Sequence, residues 1–281
     1  MIYTFTLNPS IDYIMNVENI KIGEINRSSE ELVRVGGKGI NVSLALKEAG
    51  RKSVICGFAA GCIGEFIRRE ISKTGIDCNL LEVKGNSRIN VKITGERETA
   101  VNGIGCQAEL KDIDKLCESI NCCDEDYIVL SGSLCKGIDE SAYSYVMTKV
   151  KGKFVVDTTG EALRLAVKNR PFVIKPNNYE LGELFKCNIN TYSEALYYGK
   201  KVCEMGSENV IVSMGSMGAV FVNEKEEYIL KAESIKAGNT VGAGDCMLAG
   251  FLHRYIETGD FKEALEFGCS MAQKLLCKNN K

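Results

Sequence analysis

Strand-like and helix-like patterns alternate along the chain from residue 109, and this alternation restricts the possible folds more than any other feature. Four apolar segments are predicted as strands, at residues 127–131, 153–157, 172–175 and 209–214. The helical patterns before, between and after them cover residues 109–121, 139–150, 160–168, 192–206, 242–257 and 260–277. Strands that alternate with helices form βαβ units, in which a parallel sheet is covered by helices on both faces. The sequence therefore predicts an α/β protein with a mainly parallel sheet.

Two further buried strands are predicted near the N-terminus, at residues 2–7 and 53–58. The turn Asn8-Pro9-Ser10 ends the first of them, and Asp12 follows. An amphipathic helix is predicted after the second strand, over Gly61–Thr74. Because open parallel sheets bind ligands at the carboxyl ends of their strands, Asp12 is a candidate ligand-binding residue.

Two patches of short strand-like segments, within residues 13–35 and 76–102, differ from the rest of the chain because no long helix separates their strands. We expect them to pair as one discontinuous β lid, formed by about residues 12–35 and 86–104. No linker composition interrupts residues 1–281, which are expected to form a single domain.

A glycine-rich turn near the C-terminus, between Gly238 and Phe251, is a candidate binding site. The N–H groups of Gly242, Ala243 and Gly244 lie where a helix is predicted to begin, so they can bind an anion. Asp245 comes next, and a bound anion repels a carboxylate. The acid is therefore either a general base for an attacking hydroxyl or a first-turn acid that stabilises the helix.

A second glycine-rich turn, GGKGINV at residues 36–42, opens a predicted helix that runs to Gly50. It matches neither the dinucleotide pattern GxGxxG nor the phosphate-loop pattern GxxxxGK[ST], because no Ser or Thr follows Lys38. Lys38 and Asn41 are candidates for ligand binding at the opening of this helix. A plain helix start is the alternative.

Composition argues against nucleic acid and membranes as partners. The formal net charge of the 281 residues is -2, and no apolar run reaches the roughly 18 residues that a membrane span needs. The first residues lack the basic region and cleavage site of a signal peptide. Thirteen cysteines, an odd number without a CxxC pair, indicate reduced thiols in the cytoplasm.

The chain resembles the ribokinase-like sugar kinases of the phosphofructokinase B family over nearly its whole length. Two family signatures are present, GGKGINV at 36–42 and NTVGAGD at 239–245, with further matches in KPNNYE at 175–180 and SMGSMG at 213–218. The resemblance implies a three-layer α/β/α core with a small β lid. It also implies transfer of the γ-phosphoryl group of ATP to a sugar phosphate, with Mg²⁺ as cofactor.

Within the family, residues 23–27, 87–93 and 157–163 resemble the branch of bacterial 1-phosphofructokinases. That branch implies phosphorylation of fructose 1-phosphate at its 6-hydroxyl, which gives fructose 1,6-bisphosphate. Tagatose-6-phosphate kinase and 6-phosphofructokinase of the same family are the alternatives. A silent sugar-phosphate sensor is disfavoured because Asp245 and its glycine turn are present, and a dinucleotide oxidoreductase is disfavoured by the glycine patterns.

The resemblance assigns roles to individual residues. Asp245 is expected to accept the hydroxyl proton, with Gly242, Ala243 and Gly244 as the anion hole. Sugar-phosphate binding is expected from Asp12, Gly37, Lys38, Asn41, Arg88, Arg27 and Ser131. ATP binding is expected from Lys175, Asn177, Glu180, Ser213, Gly215, Gly218, Gly242 and Gly244.

Two of the implied properties concern partners of the chain. Asn177 and Glu180 resemble the family motif that organises Mg²⁺, through water. The alternative for Glu180 is a structural role as a helix-start acid. Lids in this family often pair with each other and join two chains into a homodimer. In such a dimer Arg27 would bind the sugar phosphate of the neighbouring subunit.

Overall fold

The computed structural model describes residues 1–95, 98–232 and 240–278, which form two β-sheets and two layers of helices. The strands of this part of the chain are β1 (Ile2–Thr6), β2 (Ser10–Asn16), β3 (Glu30–Gly36), β4 (Val54–Ala59), β5 (Asp77–Glu82), β6 (Arg88–Thr94), β7 (Thr99–Asn102), β8 (Tyr127–Ser131), β9 (Lys153–Asp157), β10 (Val173–Ile174), β11 (Asn209–Ser213), β12 (Gly218–Asn223) and β13 (Glu227–Lys231). Its helices are α1 (Lys38–Glu48), α2 (Gly61–Thr74), α3 (Leu110–Glu118), α4 (Ala142–Lys149), α5 (Gly160–Val167), α6 (Asn178–Phe185), α7 (Tyr192–Met205), α8 (Ala243–Thr258) and α9 (Phe261–Lys278).

The larger sheet has nine strands in the order β13-β12-β11-β10-β9-β8-β1-β4-β5. The seven strands from β11 to β5 are parallel to their neighbours, while β12 and β13 form an antiparallel hairpin at one edge. The predicted mainly parallel sheet is confirmed. Its parallel strands end at a common edge, where the loops that follow β1, β8, β9, β10 and β11 gather.

The side chains of the larger sheet alternate between two helical layers, as the period of two in a strand requires. In β8, for example, Ile128 and Leu130 pack with α3 to α7, whereas Tyr127 and Val129 pack with α1, α8 and α9. Helix α2 joins α1 on the second face, where Ile67 contributes to a third apolar cluster. The molecule is therefore a three-layer α/β/α structure.

The smaller sheet has four strands in the order β3-β2-β6-β7. Strand β2 is antiparallel to β3 and parallel to β6, and β7 is antiparallel to β6. We refer to this sheet and the loops between its strands as the lid. Strand β5, from the second patch of strand-like segments, lies outside the expected lid bounds of about 12–35 and 86–104 and pairs in parallel with β4 at the edge of the larger sheet.

Helix α6 was not predicted, because the sequence KPNNYE reads as a turn. The Asn177 side chain caps the helix, and Lys186 ends it in the left-handed conformation after only eight residues. Helices α4 and α5 are equally short and were predicted, so the difference lies in the asparagines at the start of α6, which favour turns as well as helix caps.

No helix in the described ranges is long and apolar enough to cross a membrane.

Candidate active site

Asp245 lies in the first turn of α8, at the edge of the sheet where the parallel strands end. Its side chain is 6% exposed, and Asn41 Nδ2 donates a hydrogen bond to Asp245 Oδ2 at 2.7 Å. Burial, together with the negative charge of Asp157, raises the pKa of Asp245 to about 6, while Asn41 and two lysines oppose the rise. The carboxylate is therefore ionised at neutral pH and can accept a proton.

The Asp157 carboxylate, at the end of β9, joins two lysines from different parts of the chain. Lys38 Nζ donates to Asp157 Oδ1 at 2.9 Å, and Lys175 Nζ lies 3.2 Å from Asp157 Oδ2. Burial by itself raises the pKa of Asp157, but the charges of Lys175 and Lys38 hold that pKa below its ordinary value. Asp157 thus fixes two ammonium groups close to Asp245.

Two glycines allow the helices of the site to approach other groups closely. A Cβ at Gly39, in the first turn of α1, would lie 2.5 Å from the Phe5 carbonyl oxygen, so only glycine lets the helix begin against β1. A Cβ at Gly244 would lie 3.1 Å from Lys175 Nζ. The start of α8 therefore lies directly beside a lysine ammonium group. Gly242 caps α8 with a φ of 83°, which favours glycine.

The start of α6 forms a capping box. Asn177 Oδ1 accepts hydrogen bonds from the N–H groups of Tyr179 and Glu180 at 2.9 and 2.8 Å, and Glu180 Oε2 accepts from the Asn177 N–H at 2.8 Å. Both acceptor positions of the Asn177 oxygen are thus occupied. Glu180 Oε1 is free of the capping box and lies 3.8 Å from Lys38 Nζ. Glu180 has the structural role considered above, and one carboxylate oxygen still faces the site.

The residues around Glu180 fit a hydrated Mg²⁺ better than a direct protein cage. Among the described residues, no group of three or more His, Cys, Asp or Glu side chains is placed to hold a metal ion. Mg²⁺ usually keeps several water ligands and binds one or two carboxylates together with substrate phosphates. The open oxygen of Glu180 meets that requirement.

The lid contributes a second polar cluster, centred on Asp12. Asp12 Oδ1 accepts from Ser10 Oγ at 3.0 Å and from Asn90 Nδ2 at 2.9 Å, and Asp12 Oδ2 accepts from Lys92 Nζ at 3.0 Å. Arg88 Nε, on the same face of β6, donates to the Asn8 carbonyl oxygen at 3.1 Å. The lid therefore places one carboxylate and several nitrogen donors beside the loop that follows β1.

The remaining predicted site residues lie in the strand ends and turns around this centre, and Ser131 is the register partner of Asp157. Ser131 is fully buried, and its Oγ donates to the Phe5 carbonyl oxygen at 3.4 Å. Gly37 is the N-cap of α1. Ser213 ends β11 beside Asn177, Gly215 begins a short 3₁₀ turn, and Gly218 caps the end of that turn.

One predicted site residue lies in an exposed loop, and part of one motif is not described. Arg27 is exposed in the lid loop between β2 and β3. Gly238 and Asn239, at the start of the C-terminal motif, lie outside the described residues.

Sequence reasoning missed Asp157 and the lid residues Asn90 and Lys92. A signal for Asp157 existed, because it follows a buried strand and precedes Thr158-Thr159-Gly160 at the ligand-binding edge. A signal for Lys92 also existed, since residues 88, 90 and 92 alternate onto one face of a strand. The partners that Asp157 and Lys92 would contact depend on strand order and register, which the sequence does not display.

The combination of these features defines a class of protein. A buried acid lies at a helix start that offers glycine N–H groups, two lysines converge beside it, and a polar lid covers the loop after β1. Such an arrangement can position a hydroxyl, remove its proton and neutralise a phosphoryl group. The fold and the site are those of a small-molecule kinase.

Comparison with known proteins identifies the family. A model of the pfkB family of carbohydrate kinases matches residues 6–280. The chain is similar to 1-phosphofructokinase of Bacillus subtilis, with 40% identity over 95% of this chain and 90% of the relative, and to that of Borreliella burgdorferi, with 33% identity over 100% and 93%. Tagatose-6-phosphate kinase of Staphylococcus epidermidis is 31% identical over 95% and 91% of the two chains. This chain belongs to the pfkB family of carbohydrate kinases.

A solved structure supports the fold. The crystal structure of phosphofructokinase-2 from Escherichia coli has a TM-score of 0.90 with this chain and 24% identity, covering 100% of this chain and 99% of the other. The ribokinase-like fold inferred from the sequence motifs is confirmed.

Proposed function

We propose that this chain transfers the γ-phosphoryl group of ATP to the 6-hydroxyl of fructose 1-phosphate. The observation that carries the proposal is the position of Asp245: a buried carboxylate with a pKa of about 6, in the first turn of a helix that begins with glycine N–H groups. The choice of fructose 1-phosphate rests on the two relatives named 1-phosphofructokinase and on the sequence segments that resemble that branch.

In this mechanism the 6-hydroxyl oxygen attacks the γ-phosphorus of ATP while its proton passes to Asp245. The bond between the γ-phosphorus and the bridging oxygen breaks, and ADP leaves. Asn41 orients Asp245 through the 2.7 Å hydrogen bond. A positioned base contributes a factor of roughly 10²–10⁴ in rate, so this proton transfer is a substantial part of catalysis.

Negative charge on the transferring group is neutralised by the helix start and by lysine. The N–H groups of Gly242 and Gly244 form the anion hole at the positive end of α8. The Ala243 N–H, expected to be the third donor, is used within the turn, where it donates to the Thr240 carbonyl oxygen at 3.2 Å. Lys175 lies beside Gly244 and is held there by Asp157, so its charge is already in place when the phosphoryl group moves. Preorganised charges of this kind need no rearrangement during the reaction.

The nucleotide lies along the loops after β10 and β11, which carry Lys175, Asn177, Glu180, Ser213, Gly215 and Gly218. Asp157, Glu180 and Asp245 carry three negative charges against two positive charges on Lys38 and Lys175, so the centre has a net charge of −1 before ATP binds. A divalent cation offsets this excess, and Mg²⁺ held through water by Glu180 would supply charge neutralisation for the phosphates.

The sugar phosphate lies between this centre and the lid. Asp12 accepts hydrogen bonds from sugar hydroxyls, and Asn41 donates to them. Lys38 and Arg88 supply positive charge for the phosphate already on the sugar. Residues 1–281 act as one kinase domain, in which the lid segments of about 12–35 and 86–104 cover the sugar.

Tagatose 6-phosphate is the second candidate substrate, because a relative with 31% identity is named tagatose-6-phosphate kinase. The test is ADP release with ATP, Mg²⁺ and each of fructose 1-phosphate, tagatose 6-phosphate and fructose 6-phosphate. We expect fructose 1-phosphate to give the highest kcat/KM. A higher value for either other sugar phosphate contradicts the substrate assignment, and ADP release that is equal without any sugar contradicts sugar phosphorylation.

We further propose that two copies of the chain associate through their lids. The lid and the residues just after β7 expose large apolar side chains, which include Ile22 at 98%, Ile25 at 84%, Ile104 at 79% and Val101 at 62% exposure. Several exposed apolar side chains in one small sheet and its flanking loops support an interface there. A lid-to-lid contact also offers exposed Arg27 to the sugar site of the neighbouring subunit.

The thirteen cysteines form no disulfide bond. Unpaired thiols in this number support a reducing compartment, and we propose the cytoplasm as the location.

A further inference from the structure

The lid carries a buried ion pair between Asp12 on β2 and Lys92 on β6. Lys92 Nζ lies 3.0 Å from Asp12 Oδ2, and the two side chains are 12% and 9% exposed. The strand register places Asp12 opposite Asn90, and Lys92 opposite Ile14, so the lysine reaches back diagonally to make this contact. Lysines on a sheet usually extend their ammonium group into water.

Stability is a poor reason for this contact. Desolvating two charges costs about as much free energy as their attraction returns, and apolar replacements of buried ion pairs are often neutral or stabilising. Asp12 has, in addition, two neutral donors, Ser10 and Asn90, on its other oxygen. The ammonium group of Lys92 therefore calls for a functional explanation.

The hydrogen bonds of Asp12 leave one acceptor position open. A carboxylate offers about four acceptor positions, two on each oxygen. Ser10 and Asn90 fill both positions on Oδ1, and Lys92 fills one on Oδ2. The remaining position lies on Oδ2, next to the ammonium group, and one ligand hydroxyl can donate to it.

Without a nearby cation, the Asp12 carboxylate would be unfavourable for binding a phosphorylated sugar. The phosphate of the substrate carries up to two negative charges, and a buried carboxylate repels them strongly because water does not screen the interaction. Burial raises the pKa of Asp12, whereas the hydrogen bond and the charge of Lys92 bring that pKa below its ordinary value. Lys92 thus acts on the charge of Asp12 and on its orientation together.

We propose that Lys92 is a positioning residue for the sugar phosphate, which holds Asp12 as an oriented carboxylate with one acceptor position for a sugar hydroxyl and offsets its repulsion of the substrate's phosphate. The proposal rests on the function proposed above and deepens it, because it explains how one site accepts both a hydroxyl and a dianion. The effect of Lys92 passes through Asp12, so the two residues act as a unit.

Other charged groups surround Asp12 without taking this role. Arg34 on β3 is the register partner of Asp12, and Arg88 on β6 lies two residues before Asn90. Lys38 on α1 pairs with Asp157 instead. Among these cations, Lys92 is the one for which the structure gives a hydrogen bond to Asp12.

The test is a double-mutant cycle of Lys92→Met and Asp12→Asn, measured with the sugar phosphate that the wild-type protein phosphorylates best. We expect Lys92→Met to raise KM by roughly 10- to 100-fold, the usual value of a charge-assisted hydrogen bond, and to leave kcat within about threefold. The double variant should match Asp12→Asn within about twofold, because without the carboxylate the lysine has nothing to act upon. Lys92→Arg should recover most of the wild-type KM.

A pH profile separates this role from a purely structural one. In Lys92→Met the pKa of Asp12 rises, because only the hydrogen bonds of Asn90 and Ser10 still oppose the effect of burial. The pH profile of kcat/KM should therefore acquire a second acid limb that is absent from the profile of kcat. The matched control is Lys84→Met, which removes an exposed lysine from its ion pair with Glu109 and should change neither KM nor the profile.

Two results overturn the proposal: a wild-type KM and pH profile in Lys92→Met, or losses from Lys92→Met and Asp12→Asn that simply add. Binding of the sugar phosphate without ATP, measured by calorimetry, gives the same cycle without turnover, and thermal unfolding of each variant identifies a folding defect. A wrong choice of fructose 1-phosphate leaves the cycle intact on another sugar phosphate. Failure of the proposed function is therefore distinguishable from failure of this inference.

Discussion

Asp245 and Asp157 are both buried acids in one site, but their surroundings shift their pKa values in opposite directions. Burial dominates at Asp245, because its donor is the neutral side chain of Asn41, and its pKa rises to about 6. At Asp157 two lysines overcome the effect of burial, and the pKa falls. The pair divides the work: one acid can exchange a proton near neutral pH, and the other remains a fixed counter-charge.

The pKa of Asp245 predicts the acid limb of activity. A general base must be ionised, so kcat/KM should fall as pH decreases through about 6 and stay level above it. Asp245→Asn should lower kcat by roughly 10²–10⁴-fold and leave ATP binding largely intact. Steady-state kinetics from pH 5 to 9 and calorimetric ATP binding test both expectations, and near-normal turnover of the variant contradicts the assignment of the base.

The same two acids predict opposite effects on stability. A carboxyl group whose pKa is higher in the folded state costs stability once pH rises above its unfolded pKa, because ionisation is less favourable in the fold. Asp245→Asn should therefore increase the free energy of unfolding at pH 8, and the gain should disappear by about pH 4.

Asp157→Asn provides the matched contrast. In the wild type, the pKa of Asp157 is lower in the folded state than in the unfolded state. Its ionised form therefore contributes stability above the unfolded pKa, and that stability is lost as pH falls through the folded pKa. The variant should be less stable than wild type at pH 8. Urea unfolding at pH 4 and 8 checks the pair, and a loss of stability in both variants at pH 8 contradicts the pKa argument.

At the scale of elements, α6 shows how one capping box can serve structure and chemistry. Asn177 satisfies two N–H groups at the helix start, so Asn177→Ala should lower the free energy of unfolding by about 1 kcal/mol.

Glu180→Gln keeps a side chain that can complete the capping box but removes the charge that faces Lys38. We expect it to unfold like wild type and to need more Mg²⁺ for half-maximal activity. An unchanged Mg²⁺ dependence contradicts a role of Glu180 in holding the cation.

The elements of the larger sheet were predictable because their signals are local. Strand β9 and helix α2, for instance, have the bounds expected from apolar periodicity and from flanking glycines. Helix α6 was not predicted, because it begins with turn-forming side chains, whereas α4 and α5 are equally short and were predicted. The partner of strand β5 was not predictable, because a single strand pattern does not reveal which of two sheets the strand joins.

The candidate site divides along the same line. Asp245, Lys38 and Asn41 lie in glycine-rich helix starts, whose chemistry is visible in the sequence. Asp157 and Lys92 become meaningful only when strand order and register bring distant segments into contact, Lys38 with Asp157 across 119 positions and Lys92 with Asp12 across 80. Such contacts depend on the whole chain, so local patterns do not contain them.

At the scale of the whole molecule, the lid has two different surfaces. Ser10, Asp12, Asn90 and Lys92 form a polar network on one of them, while the loop around Ile25 and the end of β7 expose apolar side chains. In the function proposed above, the polar network belongs to the sugar site of its own chain. The exposed apolar side chains have no such partner within the described residues, which favours a contact between two lids.

This arrangement predicts that Ile25→Lys separates the dimer, because an unpaired ammonium group is costly to bury in an apolar contact. We expect its dissociation constant, measured by analytical ultracentrifugation, to rise at least about tenfold, a change of about 1.4 kcal/mol. The control is Ile229→Lys, at a position 47% exposed on β13 at the far edge of the larger sheet, which should leave association unchanged.

If Arg27 reaches the neighbouring sugar site, Ile25→Lys and Arg27→Ala should raise KM for the sugar phosphate by similar factors, and combining them should add little. A wild-type protein that sediments as a monomer at high concentration contradicts the lid contact, and a dimer with unchanged KM in Arg27→Ala contradicts the shared residue alone.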